Sequence, residues 1–332
     1  MTKWFFSITL LFLLSFNVLA QPEVRVGVLK YGTVNWEIDV IKHHQLDKKY
    51  QFKLNVMSLA SKNASAVALQ SHAVDIILSD WLWVNRQRFE HKNYTIFPTS
   101  MATGGLYISG SSEVESLVDL KGKKIGIAGG AVDKSWLLLQ AYSQKKYGLD
   151  LKSDAEPTFA VPPLLNRLML RGDLAAAINF WHYGAKLKAE GFKQLVTVPQ
   201  MLAEFSVEGQ VPLLGWVFDQ TWADEQPKAV TRFLKASLEA KQILFSSELE
   251  WQRIRPLIKA ENAEVLSALK KDYRAGLLRQ FGTKEIAASK QVFDILAEQG
   301  GSALVGKATA LSDGTFYRKS LLEYTVNAKV VQ

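Results

Sequence analysis

Polar and aromatic residues follow directly after an apolar segment within residues 61–83. Residues 76–78 are Ile-Ile-Leu, a run typical of a parallel strand that is covered on both faces. Ser79, Asp80 and Trp81 come next, at the predicted carboxyl end of that strand. Because open α/β sheets bind ligands at the carboxyl ends of their strands, this segment predicts a ligand site.

Asp80 has two possible roles at this strand end. Its carboxylate could accept hydrogen bonds from an amine, amide or ring N–H of a ligand. It could equally cap the helix that is predicted to start at Trp81, where Asp is among the preferred residues. If Asp80 does face the ligand, a bare anion is disfavoured, because burying two like charges together is costly.

Three tryptophans follow predicted strands: Trp36, Trp81 and Trp181. Their flat faces could sandwich a ring or a cationic head group, worth roughly 0.5–2 kcal/mol for a cation over a ring. The alternative for each is packing in the core or between lobes. Three tryptophans at matched positions favour a ligand with aromatic or cationic character.

The loop after the first predicted strand carries Tyr31, Thr33 and Asn35. Thr33 and Asn35 supply neutral donors and acceptors, which suit the orientation of a polar ligand. The alternative is turn chemistry, since Gly32 and Asn35 are common turn formers. We predict that this loop contacts the ligand.

A glycine turn, Gly129-Gly130-Ala131, leads into a helix predicted over residues 133–146. Free backbone N–H groups at a helix start form a generic anion site, and Ser135 could add a hydroxyl one turn in. The alternative is a plain glycine turn.

A second apolar strand is predicted over residues 174–180, again followed by polar and aromatic residues. Asn179, Trp181 and His182 are therefore candidates on a second lobe. The two strand ends resemble each other in organisation, which predicts two lobes whose ligand-facing edges meet.

The sequence contains no cysteine, which excludes disulfides, thiolate metal sites and a cysteine nucleophile. The five histidines lack the spacing of metal ligands, and neither a Ser-His-Asp order nor a GxSxG motif occurs. We therefore predict a protein that is not an enzyme and has no metal and no cofactor.

The net charge of +8 is spread along the chain, without a block of Lys and Arg. This charge indicates either attraction of an anionic ligand or simply a solvated surface. The sequence shows neither a basic stripe nor a nucleic-acid-binding motif, so no nucleic-acid partner is predicted.

The start of the chain has the pattern of a secretory signal. Lys3 is followed by an apolar run over residues 4–14 and by the small-residue junction Val18-Leu19-Ala20. The alternative, a membrane anchor, would need roughly 20 apolar residues. We predict a signal peptide over residues 1–20, cleavage after Ala20, and export of a soluble protein to the periplasm.

Strands and helices alternate twice along the remaining chain, which predicts an α/β fold with two doubly wound lobes. The first lobe is predicted to comprise residues 21–103 and 212–332, and the second residues 104–211. Residues 313–332 are expected to pack on the first lobe.

Four segments, in this order, resemble a known family: VRVGVLKYGTVNW, AVALQSHAVDIILSDWLW, SLVDLKGKKIGIAGG and FLKASLEA. The chain resembles the periplasmic solute-binding proteins of the nitrate, sulfonate and taurine type, a group that includes thiamine-precursor binders. The resemblance implies a type II-like periplasmic binding fold, with two lobes joined by a two-strand hinge. It also implies delivery of a solute to an ABC permease in the inner membrane.

The segment Ser79-Asp80-Trp81 departs from the small polar segment that the family's sulfonate binders often carry. The absence of cysteine argues against the family's enzymatic thiamine-precursor branch. We therefore predict a monomeric binding protein for a small nitrogen-containing solute with aromatic or cationic character. The alternatives are a sulfonate, taurine or nitrate binder, an exported enzyme, or a sensor that signals to a membrane receptor.

Overall fold

The computed structural model describes residues 21–318. The predicted signal peptide, residues 1–20, and residues 319–332 of the predicted C-terminal packing segment lie outside the described residues.

Residues 21–318 contain ten strands: β1 Glu23–Leu29, β2 Lys53–Leu59, β3 Ile76–Asp80, β4 Tyr94–Ser100, β5 Gly105–Ile108, β6 Lys124–Ile127, β7 Glu156–Phe159, β8 Ala176–Asn179, β9 Lys193–Thr197 and β10 Leu214–Asp219. The same residues form fourteen α-helices: α1 Val34–His43, α2 Leu46–Lys49, α3 Lys62–Gln70, α4 Trp81–Phe89, α5 Lys134–Tyr147, α6 Pro162–Leu170, α7 Trp181–Ala189, α8 Val198–Glu204, α9 Gln220–Glu225, α10 Pro227–Ser246, α11 Glu248–Arg253, α12 Arg255–Ile258, α13 Ala263–Ala275 and α14 Thr283–Val305.

The strands form two five-stranded sheets with matching topology. The first has the order β2-β1-β3-β10-β4, and the second has the order β7-β6-β8-β5-β9. In each sheet the strand that returns from the other half of the molecule runs antiparallel to both neighbours, β10 in the first and β5 in the second. The predicted fold class, α/β with two lobes, is confirmed.

Both faces of the first sheet are covered, as the apolar run in β3 predicts. Ile76 belongs to the core formed with α1 and α10, whereas its neighbour Ile77 belongs to the core formed with α3 and α4. Successive side chains of a strand point to opposite faces, so each face of the sheet carries its own helix layer.

The chain crosses between the sheets at residues 101–104 and again at residues 205–213. The two crossings lie side by side, since the Leu213 N–H donates to the Ser100 carbonyl oxygen at 2.8 Å. The lobe boundaries remain a prediction. Helix α14 packs against both α4 and α5, so it contacts elements that follow strands of both sheets.

Three helices, α2, α7 and α8, were not predicted from the sequence. Helix α8 begins with a capping box, in which Thr197 accepts from the Gln200 N–H and Gln200 accepts from the Thr197 N–H. The pattern Thr-x-x-Gln with Pro199 in the first turn is the signal that could have revealed it.

Gly104 sits at the first crossing and is required there by close backbone approach. A Cβ on Gly104 would lie 1.7 Å from the Asn179 carbonyl oxygen. The crossing segment and the end of β8 therefore touch backbone to backbone.

We predict that Gly104→Ala lowers the free energy of unfolding by about 1–3 kcal/mol, because backbone must move to admit the methyl group. Gly32→Ala is the control, since its Cβ would meet its nearest neighbour at an ordinary 3.5 Å. Urea denaturation of both variants measures the difference. Equal stability of the two variants would contradict the close packing at this crossing.

Candidate functional site

Two side-chain contacts bring the strand ends of the two sheets together. Asp80, at the end of β3, pairs with Lys134 of α5, which follows β6 of the second sheet. Trp36 of α1 packs edge-on against Trp181 of α7, with ring centroids 6.0 Å apart. The candidate site is the interlobe cleft around these two contacts.

The Asp80 carboxylate caps a helix and also forms an ion pair with a lysine of the second lobe. Oδ1 accepts from the Trp83 N–H at 2.9 Å and caps α4, while Oδ2 accepts from Lys134 Nζ at 3.1 Å. Burial raises the pKa of Asp80, but Lys134, the Trp83 N–H and Lys62 lower that pKa by more, so its net shift is downward. Asp80 is thus a charged carboxylate that already has donors, and its contact with a ligand remains a prediction.

The predicted anion site after the glycine turn is partly occupied by the chain itself. Asp133 Oδ1 accepts from the N–H groups of Ser135 and Trp136, at 3.0 and 3.2 Å. Gly129 and Gly130 both have positive φ, of 82° and 89°, which suits the tight turn. Because the Asp133 carboxylate already binds the N–H groups at the start of α5, this helix end is a weaker anion site than the sequence indicates.

Burial raises the pKa of Asp133, and the Trp136 N–H and Lys134 lower it by less. Ser135 is half-buried and lines a cavity of about 40 Å³ together with Trp81 and Lys134. Ala131 is exposed beside this turn. The glycine turn therefore lies next to a charged cluster made of Asp80, Lys134 and Asp133.

The three predicted tryptophans lie in different surroundings. Trp81 is 2% exposed, and its indole N–H donates to the Pro212 carbonyl oxygen at 2.8 Å, so it fixes the second crossing. Trp36 is buried between Trp181, Trp251 and Tyr273. Trp181 is half-buried and lines two cavities, so its ring is the one of the three best placed to meet a solute.

The side-chain amide of Asn35 stabilises the turn of the first loop. Asn35 Nδ2 donates to the carbonyl oxygens of Leu29 and Gly32, at 2.8 and 2.7 Å. Tyr31 is 81% exposed at the loop tip. Thr33 lines the smaller of the two cavities that Trp181 lines. The structure therefore brings Thr33 to the cleft aromatic residues and leaves Tyr31 outside this cluster.

Asn179 is buried, and its amide is engaged on both sides. Nδ2 donates to Pro162 O and Asn166 Oδ1, and Oδ1 accepts from the Phe180 N–H. This amide orders the end of β8. Both N–H donors of this amide are used within the lobe, so only the second lone pair of Oδ1 is left for a further hydrogen bond.

His182 follows Trp181 at the start of α7. Burial, with a smaller contribution from Lys186, lowers the pKa of His182 to about 4, so the imidazole is neutral at pH 7. Its Nδ1 atom has no hydrogen-bond partner among residues 21–318. Ser79, the remaining candidate, is half-buried in β3 beside Asp80.

A buried ion pair that was not predicted from the sequence lies behind the aromatic cluster. Glu37 Oε1 accepts from Lys241 Nζ at 2.5 Å and from the Tyr273 hydroxyl at 3.1 Å. Both charged side chains are buried. Helical spacing could have revealed Glu37, because it shares the inner face of α1 with Val34, Ile38 and Ile41.

Two cavities share Trp181 and Ala102 in their walls. The larger has a volume of about 430 Å³ and is also lined by Tyr107, Gln194, Lys188 and Asp272. The smaller has a volume of about 40 Å³. The larger volume falls in the range of small-molecule sites.

The described part of the chain, residues 21–318, holds no cluster of three or more His, Cys, Asp or Glu side chains suited to a metal ion. Among the helices of this part, none is long and apolar enough to cross a membrane.

The sequence matches no protein-family model and no curated protein. Solved structures do match. The periplasmic aliphatic sulphonate binding protein SsuA from Escherichia coli is 18% identical, covers 91% of this chain and 94% of its own length, and gives a TM-score of 0.72. The alkanesulfonate-binding protein SsuA from Xanthomonas axonopodis pv. citri, bound to MOPS, is 15% identical, with coverages of 89% and 98% and a TM-score of 0.67.

A DSZB mutant in complex with biphenyl-2-sulfinic acid also shares the fold, at 12% identity, coverages of 89% and 96%, and a TM-score of 0.62. At these identities the comparisons establish the fold. The chain therefore has the two-lobed fold of the periplasmic binding proteins that the sequence resemblance implies.

We predict that Lys241→Met lowers the free energy of unfolding by about 3–5 kcal/mol, because it leaves the buried Glu37 carboxylate without its counter-charge. Lys49→Met is the matched control, since Lys49 pairs with Glu239 at the surface, where such pairs contribute about 0–1 kcal/mol. Chemical denaturation at pH 7 measures both losses. Similar losses for the two variants would contradict the buried pair.

The lowered pKa of Asp80 predicts a specific pH dependence. A carboxyl group whose pKa falls on folding stabilises the protein above its unfolded pKa of about 3.9, and this stabilisation is lost as pH falls through the folded value. The stability difference between wild type and Asp80→Asn should therefore be constant from pH 7 to 5 and shrink below about pH 4. Urea titrations over this range test the prediction, and a difference that stays constant to pH 2 would refute it.

Proposed function

We propose that this protein is the solute-binding component of an ABC importer and captures a small organic solute between its two lobes. The main support for this proposal is the cleft between the two sheets, which are joined by two crossings. In this cleft Trp36 packs against Trp181, and Asp80 pairs with Lys134. The fold shared with sulfonate-binding proteins over about nine-tenths of the chain supports this proposal.

The cleft contacts give a mechanism for capture. Two lobes joined by short crossings can rotate about them and close around a ligand. Lys186–Glu261 and Lys188–Asp272 pair α7 with the region of α13, at 2.7 and 2.6 Å, and so add further contacts between the halves. The closed form would be recognised by an inner-membrane permease, in a protein exported to the periplasm as a monomer.

The side chains around Trp181 support a solute with nitrogen and aromatic or cationic character. Trp181 offers a ring face, and the carboxylate oxygens of Asp80 and Glu37 near the cleft can accept hydrogen bonds from N–H groups. Asp133 and Asp80 already bind the N-terminal N–H groups of α5 and α4. Two helix ends that an anion would use are therefore capped by negative charge.

A sulfonate-type anion is the second candidate, and specific observations favour it. Lys62 and Lys134 both lie close enough to Asp80 to lower its pKa, and Lys62 Nζ lies 6.0 Å from the Phe180 ring centroid across the cleft. The two SsuA proteins share the fold, one of them bound to MOPS. Helices α1 and α7 begin without a capping side-chain hydrogen bond.

An exported enzyme is the third candidate, since DSZB shares the fold. This chain has no cysteine to serve as a nucleophile. His182 Nδ1, beside the aromatic cluster, is not bonded to a serine or threonine hydroxyl among the described residues. We therefore propose a binding protein and not an enzyme.

A thermal-shift screen of the purified mature protein tests the proposal. The panel spans amines, amides, alcohols, pyrimidines, flavin precursors, sulfonates and nitrate. A solute at 100 times its dissociation constant should add about 2.7 kcal/mol to the free energy of unfolding. A panel without any stabilising compound would count against a binding protein for these classes.

For a stabilising solute, Trp181→Ala should weaken binding about tenfold or more, because the ring and its contact area are lost. Trp222→Ala is the control, since Trp222 packs against Phe218 on the first sheet, away from the cleft. Isothermal titration calorimetry gives both dissociation constants. An unchanged dissociation constant for Trp181→Ala would remove this ring from the site.

A further inference from the structure

The smaller cavity beside Trp181 has an unusual wall for a space of about 40 Å³. Its polar lining consists of Thr33, Glu37, Thr99, Ser100, Lys241 and Tyr273, while Leu78 and Trp181 contribute apolar surface. It lies where β3 and β4 of the first sheet end, and Trp181 reaches it from the second lobe. The cavity is therefore part of the floor of the interlobe cleft.

Two buried polar atoms in this wall lack a hydrogen-bond partner in the described part of the chain. Glu37 Oε1 is satisfied by Lys241 and Tyr273, but Glu37 Oε2 has no hydrogen-bond partner among residues 21–318. Thr99 Oγ1 is likewise buried without a partner in that range. Buried polar groups are almost always hydrogen-bonded, because leaving one unpaired costs free energy. Two such atoms on one small cavity indicate a site built to receive a polar group.

The charges around the cavity select the kind of group. A carboxylate oxygen can only accept, so the group that meets Glu37 Oε2 must donate a hydrogen bond. A second cation would be repelled by Lys241, which already neutralises Glu37, and an anion would meet Oε2 directly. A neutral group that donates to Glu37 and also exchanges a hydrogen bond with Thr99 satisfies both atoms.

Size limits the group further. A water molecule needs about 10–15 Å³ of probe-occupied volume, so this cavity accommodates a hydroxyl or a primary amide and little more. Trp181 and Ala102 also line the larger cavity of about 430 Å³, which has room for the body of a small solute.

We infer that the small cavity is a subsite for a neutral, hydrogen-bond-donating terminus of the solute, a hydroxyl or a primary amide, held by Glu37 Oε2 and Thr99 Oγ1. This inference rests on the proposed function, since it assigns the terminus of the solute that the cleft captures. Among the proposed solutes, the inference selects those whose terminus in the small cavity is uncharged.

Four probes with the same aromatic body separate the possible termini: benzyl alcohol, benzamide, benzylamine and benzenesulfonate. Dissociation constants for the full mature protein are measured by calorimetry or ligand-observed NMR. Benzyl alcohol and benzamide should bind about tenfold or more tightly than the charged probes, because a charged terminus cannot satisfy both atoms without repulsion. Tighter binding of benzylamine or benzenesulfonate overturns the inference.

Thr99→Val tests the second partner without changing the ion pair. It should weaken the neutral probes about tenfold and leave the charged probes unchanged, because only the neutral terminus uses the hydroxyl. Thr95→Val is the matched control, since Thr95 is buried in the same strand and donates to the Thr315 carbonyl oxygen outside the cavity. An equal effect of the two variants on the neutral probes overturns the inference.

Urea denaturation supplies a readout that needs no ligand. Thr99→Val removes an unpaired buried hydroxyl and should be at least as stable as wild type, whereas Thr95→Val loses a hydrogen bond and should be less stable. If another solute from the screen binds and Thr99→Val does not affect it, the inference fails and the proposed function stands. If no solute of any class binds, the proposed function fails as well.

Discussion

A buried carboxylate, that of Glu37, connects the first sheet, its covering helices and the cleft. It binds Lys241 of α10 and Tyr273 of α13, and Trp36, one residue earlier in the chain, packs on Trp181 from the other lobe. A buried charge of this kind is tolerated only when it is paired and hydrogen-bonded. The requirement fixes α1 against α10 and α13, and it thereby fixes the position of Trp36, against which Trp181 packs.

The remainder of the cleft follows from the topology. Each sheet receives one antiparallel strand from the crossing chain, so the strand ends of both sheets face a common space. Asp80 and Lys134 pair across this space, and Gly104 permits backbone contact at the crossing. In the proposed function, a solute that binds both lobes adds contacts that neither lobe makes alone, and such differential binding is what shifts a two-state equilibrium.

Local chemistry was predictable from the sequence, and the orientation of side chains between lobes was not. Periodicity located β3, with Ser79 and Asp80 at its end, and the sequence predicted Asp80 as a possible helix cap, which it is. Trp81 and Asn179 are buried by the second crossing and by the turn before α6, which sequence patterns do not place in space. Glu37 was missed because a charged residue on an apolar helix face was not followed to its partner, 204 positions away. The alternation of strands and helices predicted two lobes, and the family resemblance added the hinge between them.

We propose that a small solute binds between the lobes against Trp181. A crystal structure of the mature protein with the solute that stabilises it most strongly tests this proposal directly. We expect the solute in the space lined by Trp181 and Ala102, in contact with residues of both lobes. A solute bound elsewhere, or bound to one lobe without contact to Trp181, would contradict it.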